Sequence, residues 1–306
     1  MAAFLLRRLL QGALVVLGVT FTVFVVTRVF GNPVDLMLPL SASAEQRAAF
    51  AAELGLDRPL PAQFMQFVGE LLRFDFGEST WQRRPAMAVV LERLPNSLLL
   101  IGAGLGLAII LALPAGLLAA GRPGGLLDRV VTGISLAGLS MPQFWVGLLL
   151  IVLFAVAIPV LPTSGMGTPA HLVLPAVTLA LVPFARMTLF VRSQIMEELN
   201  RPYIRTALAR GLPRSRVLVG HALRNTLVPF LTLVGWELVL ALAGYTVVVE
   251  TVFAWPGMGL VAIQALQRGD LFLVQAIVYT VAVLIVLVNI LLDVVFKLVD
   301  PRIGLG

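Results

Sequence analysis

The 306-residue chain contains no cysteine, which excludes disulfides and thiolate-held metals. Only two histidines, His171 and His221, are present, and charged residues are just 12% of the total, so cofactor chemistry has almost no raw material. A phosphate-gripping GxxxxGKS or GxxxxGKT loop is missing, so any ATP-derived energy must come from another chain. HExxH and GxSxG are missing too, as is any polar cluster combining nucleophile, base and oxyanion donors, which leaves an enzyme reading little support.

What remains is apolar: 59% of residues are hydrophobic and the mean hydropathy is +0.99. Six apolar stretches, 9–30, 96–120, 130–158, 172–191, 226–249 and 273–296, each approach or exceed the roughly 20 residues a helix needs to cross a bilayer. An all-α polytopic membrane protein with six transmembrane helices is expected. The first stretch lacks a small-x-small cleavage site and reads as an uncleaved span, and Arg7 with Arg8 is explained by orientation without a twin-arginine address.

The net charge of +6 reports topology before it reports partners, and it is no evidence for nucleic acid. Residues 31–95 hold eight acidic and six basic side chains, so the basic excess lies elsewhere. It clusters at Arg7 and Arg8, at Arg122 and Arg129, in seven arginines from Arg192 to Arg224, and at Lys297 and Arg302. These segments read as cytoplasmic, with both termini inside. The uncharged connection 159–170 and the segment 250–272, whose only basic residue is Arg268, read as external. On this topology Ser79 and Ser164 face outside and Arg214 faces inside.

Three parts follow: 1–30 with the first span, 31–95 as a small external helical cap, and 96–306 as a core with five spans and a cytoplasmic loop, 192–225. In the cap, Phe64, Phe67, Val68, Leu71 and Leu72 recur at helical spacing and predict an amphipathic helix ended by the Asp75-Phe76-Gly77 turn. In the loop, Pro202 can open a short helix and Gly211 can end it.

Polar groups within or beside the spans carry structural as well as functional readings. Asn289 and Asp293 suit helix–helix bonding, with Asp293 hydrated near Lys297, while His171 and Glu250 sit at membrane borders where water reaches. Gly102, Gly104 and Gly106, with Gly133 and Gly138, suit close helix contacts, because no strand precedes them as a nucleotide loop would need. The run 254–259, AWPGMG, predicts an external turn leading into a short helix, and a gating or docking role stands equally beside simple chain reversal. Glu237 falls near mid-span, where a carboxylate either contacts a cationic substrate group or stays protonated in the bundle.

Residues 201–225, RPYIRTALARGLPRSRVLVGHALRN, resemble the E-A-A loop of ATP-binding-cassette importer permeases, with Gly211 ten residues before His221. Arg205 and Thr206 replace the family's glutamate and first alanine, Ala207 is kept, and Arg224 takes a proline position. The variant RTALARG with HALRN is similar to the first of the two permeases in dipeptide, oligopeptide and nickel importers. GNPVD, ELGLDRPL, FDFGES, VVVETVFAWPGMG and the terminal DPRI resemble the same subfamily along the whole chain. Gly269 before Asp270 departs from its usual arginine, although Arg268 stands one position earlier, and Glu237 departs from its usual glutamine.

The resemblance implies a type I importer permease fold in the inner membrane. It implies a heterodimer with a second homologous permease, two cytoplasmic ATPases, an external solute-binding protein and no cofactor. Tyr203, Arg205, Thr206, Ala207, Ala209, Gly211, His221, Arg224 and Asn225 would couple to the ATPase. Glu237 would lie in the path, and Glu250, Pro256, Gly257 and Gly259 would serve an external gate or docking point. Di- and oligopeptides are the expected cargo; relatives carry nickel complexes, glutathione or oligosaccharides. An ion-coupled secondary carrier is disfavoured, since neither repeated halves nor a rich intramembrane acid–base chain is visible.

Overall fold

The computed structural model describes residues 2–30, 34, 38, 41–53 and 55–299. Most of GNPVD, Leu54 of ELGLDRPL, the terminal DPRI and Arg302 lie outside the described residues. Among the described residues the structure is helical, apart from turns and one isolated antiparallel bridge between Glu78 and Pro85. The helices are α1 (Ala2–Phe24), α2 (Ala44–Glu53), α3 (Leu60–Leu72), α4 (Ala86–Gly121), α5 (Leu126–Ser140), α6 (Gln143–Ala157), α7 (Pro169–Leu199), α8 (Pro202–Ala209), α9 (Arg214–Val252), α10 (Met258–Gln267) and α11 (Leu271–Val299).

Five of these, α1 with its continuation to Thr27, α4, α7, α9 and α11, are each long and apolar enough to span a bilayer. The remaining apolar stretch is a bent helix pair: α5 and α6 meet at 104°, so 130–158 is not the single helix the apolar run suggests. Pro142 supplies the cause, because the residue before a proline is pushed out of the helical region, and Met141 is extended at φ −90°, ψ 131°.

The chain forms two compact units, residues 1–97 with 256–290, and 98–255 with 291–306. In the first, Phe24, Phe67, Leu71, Val89 and Leu273 share a core. Phe64 of α3 meets Phe24 edge-on at 5.2 Å between ring centroids, so the amphipathic helix packs through its predicted stripe. Leu72, at the helix's last residue, departs from that stripe and is exposed.

Ser79 in the same unit is buried, because its hydroxyl donates to the carboxylate of Asp270, and it is therefore a poor surface probe. Asp270 also accepts from the backbone N–H of Trp81 and Leu273, both at 3.1 Å, capping α11. Despite Gly269, the neighbouring Arg268 is engaged, lying 4.3 Å from the centroid of the Trp81 ring.

In the second unit, Ala112, Met187, Val191, Ile195, Val217 and Phe230 form the core. A Cβ on Gly104 would come within 2.9 Å of Leu179, so that glycine permits a close helix approach, whereas Gly102, Gly106 and Gly133 face open space. Asp128 of α5 is buried and clasped by Arg192 of α7 through both carboxylate oxygens, with Gly124 N–H donating at 2.8 Å.

Candidate functional site

Helix α8 begins where Pro202 fixes φ and needs no hydrogen bond, and it ends in a left-handed turn at Gly211, φ 82°. Gly211 N–H bonds Leu208 O at 2.9 Å and Leu212 N–H bonds Ala207 O at 3.3 Å, the paired bonds of a Schellman end. Ile204 and Ala207, one helical step apart, are buried in the second core, and Leu212 packs against it. Arg205, Thr206 and Ala209 are exposed on the other face. The helix thus lies on the bundle with a free outer surface. Beside it is an open depression of about 390 Å³ whose lining includes Ile204, Leu208, Arg214 and Val217.

Tyr203 and Asn225 are brought together. Asn225 Nδ2 donates to the Tyr203 hydroxyl at 2.9 Å and to Glu198 Oε2 at 3.3 Å, while that hydroxyl donates to Glu198. This knot ties the end of α7 and the start of α8 to Asn225, about three turns into α9. Partial burial, then donation to Glu198, raises the Tyr203 pKa above the ordinary phenol value, so the hydroxyl stays a donor at neutral pH. Glu198 is the member that sequence reading did not single out. Arg224 is exposed, and the buried Nδ1 of His221 has no hydrogen-bond partner among the described residues.

Glu237 is fully buried, and its Oε1 accepts from Nη1 of Arg186 at 2.9 Å. Neither alternative drawn from the sequence foresaw a cationic partner within the same chain. Arg186 was overlooked although an arginine inside the apolar run 172–191 is itself a signal.

The candidate gate residues are divided between the two units. Glu250 belongs to the second unit and is fully buried, which corrects the expectation that it is wet at a membrane border. Its carbonyl accepts from Trp255 N–H at 2.9 Å, and the turn passes through Ala254 at φ 46°. Pro256, Gly257 and Gly259 belong to the first unit. Asn96 Nδ2 donates to Pro256 O at 2.9 Å, Gly257 precedes α10, and Gly257 and Gly259 are buried. The aromatics of this run, Phe253 and Trp255, are buried rather than presented to a partner.

Comparison with known proteins agrees with this architecture. A family model described as "Binding-protein-dependent transport system inner membrane component" matches residues 112–305, and its N-terminal companion matches 1–101. The chain is 36% identical to the oligopeptide transport system permease protein AppB of Bacillus subtilis and 35% identical to the dipeptide transport system permease protein DppB of Escherichia coli K12, covering 99% of both chains in each case. Among solved structures, an inward-facing form of the MetNI methionine ABC transporter matches with a TM-score of 0.59 at 18% identity, over 70% of this chain and 97% of that one, a likeness of fold. With five helices long and apolar enough to span a bilayer, one sharply bent helix pair and family matches over residues 1–101 and 112–305, the chain belongs to the family of binding-protein-dependent transport system inner membrane components.

Proposed function

We infer that this permease carries di- and oligopeptides, handed over by an external solute-binding protein, through a path it shares with a second, similar permease. The peptide assignment rests on full-length relatives at 36% and 35% identity that are named for oligopeptide and dipeptide transport. Both termini are cytoplasmic on this reading, residues 31–95 form an external cap, and 96–306 form the translocating core. Two cytoplasmic ATPases hydrolyse ATP, and α8 is their contact.

The observation that carries the coupling role is the two-faced seat of α8. Ile204 and Ala207 fix it to the core while Arg205, Thr206 and Ala209 stay free, and the Tyr203–Asn225–Glu198 knot joins it to two spans. A push on the free face therefore reaches α7 and α9 directly. His221 and Arg224 precede Asn225 on α9, and Gly211 sets the end of α8. On this reading Glu250, near the end of α9, and Pro256, Gly257 and Gly259, before and within α10, each repack during gating.

The test is uptake by the importer reconstituted with its binding protein and ATPases. ATP-dependent accumulation of a labelled dipeptide that nickel complexes, glutathione and oligosaccharides do not displace supports the reading. Displacement of the dipeptide by one of these other cargoes at a lower concentration would refute it.

A further inference from the structure

Two spans each carry an ionisable side chain near mid-length, and the fold pairs them. Arg186 of α7 donates from Nη1 to Glu237 at 2.9 Å and from Nη2 to the Tyr245 hydroxyl at 3.1 Å, with its guanidinium 5.9 Å from that ring's centroid. Glu237 and Tyr245 both lie on α9, eight positions apart, a spacing that in a regular helix would set them about 80° apart around the axis. The wide turn Ala241–Tyr245, where Thr246 N–H reaches back to Ala241 O, takes up an extra residue and turns Tyr245 toward the same side.

Burial is uneven across the pair. Glu237 is 0% exposed, whereas 34% of the Arg186 side chain is open. A guanidinium has five N–H donors, and the carboxylate and the phenol take two. Nε, the nitrogen that bonds neither partner, is not among the buried side-chain atoms that lack a partner, so at least this donor lies on the open edge. A cationic edge at mid-span is strongly disfavoured against hydrocarbon, and it therefore faces water or protein.

Charge decides what such an edge suits. A bare arginine in a path would hold anionic cargo and repel cationic cargo, but Glu237 cancels that charge and leaves directed N–H groups. Neutral acceptors fit them, and every peptide offers the same ones, its backbone carbonyls, whatever its side chains. Their hold is weak enough for cargo to leave, which passage requires.

Resting on the peptide-import reading, we propose that Arg186 is a station in the translocation path whose free N–H donors bind the backbone carbonyls of passing peptides, while Glu237 neutralises it and Tyr245 fixes its plane. Glu237 is thus a positioning residue and does not touch cargo.

The test compares uptake of trialanine and its analogues with a central aspartate or lysine by the assembled importer, each variant normalised to wild type so that selection by the binding protein cancels. Glu237 engages Arg186 through one oxygen, and Oε2 has no partner among the described residues, so Glu237→Gln can keep the bond and lose only the charge. It should raise the aspartate-to-lysine uptake ratio about tenfold or more by unmasking the arginine. The neutral double variant Arg186→Met with Glu237→Gln should lower all three uptakes alike, by roughly tenfold. An unchanged ratio in an assembled Glu237→Gln complex overturns the proposal and places the pair against the second permease.

Should that variant fail to assemble, Arg186→Cys with Glu237→Gln gives a second readout, made clean by the absence of other cysteines in the chain. A small charged thiol reagent added to both faces should modify it, and saturating trialanine should slow the reaction. No modification, or no protection, overturns the proposal. If wild type takes up no peptide while this cysteine reacts with the reagent, the peptide-import reading fails and the aqueous placement of Arg186 stands.

Discussion

Replacing Gly211 tests whether the shape of α8 transmits energy. Its φ of 82° is left-handed, and an added Cβ would meet nothing within 4 Å, so any penalty comes from the backbone and not from collision. For ordinary L-residues that conformation costs about 1–2 kcal/mol, least for asparagine and most for β-branched side chains. The graded series Gly211→Asn, Gly211→Ala and Gly211→Val should therefore lose progressively more of the Schellman end that holds Leu212 against the core. A loss of 1–2 kcal/mol lowers the population of the formed end about 5- to 30-fold. The assay is peptide uptake per ATP hydrolysed, with ATPase association measured by co-purification. Uptake should fall in the order asparagine, alanine, valine while membrane insertion persists. A valine variant equal to wild type in both uptake and association would refute the reasoning, because the helix end would then be irrelevant to coupling.

Three further outcomes are expected. Asp128→Ala leaves the half-buried Arg192 without its carboxylate and should destabilise the bundle by about 3–5 kcal/mol, read as a lower denaturation midpoint in detergent; Asp128→Glu should recover part of the loss. Tyr203→Phe removes the hydroxyl shared by Glu198 and Asn225, a loosening of about 1 kcal/mol, and should lower uptake per ATP severalfold with unchanged protein level. Single cysteines at Thr80 and Ser164, both exposed, should react with an impermeant reagent in intact cells and one at Arg214 only after lysis; the reverse pattern would overturn the arginine-based orientation.

Local signals in the sequence translated well into structure. Pro202 and Gly211 set the limits of α8 because both act through their own backbone, and the spacing of Phe64, Phe67 and Leu71 predicted how α3 packs. The break at Met141-Pro142 was written in the sequence too, but the apolar run around it masked it. What could not be read depends on side chains distant along the chain. Arg186 and Glu237 are 51 positions apart, and Ser79 and Asp270 are 191 apart, so neither pairing has a local signature. The burial of Glu250 likewise follows from packing rather than from its place at the end of an apolar stretch. The Tyr203–Asn225 contact was half visible, since both residues belong to the resembling loop, while Glu198 lies before that loop and carries no motif.

The most direct measurement places a photo-crosslinker on a single cysteine at Thr206, on the free face of α8, in the assembled importer. The account predicts one principal adduct, to the ATPase subunit, with a yield that changes between ATP-bound and nucleotide-free states. Adducts only to lipid or to the external binding protein would contradict it, removing α8 as the route by which ATP hydrolysis drives transport.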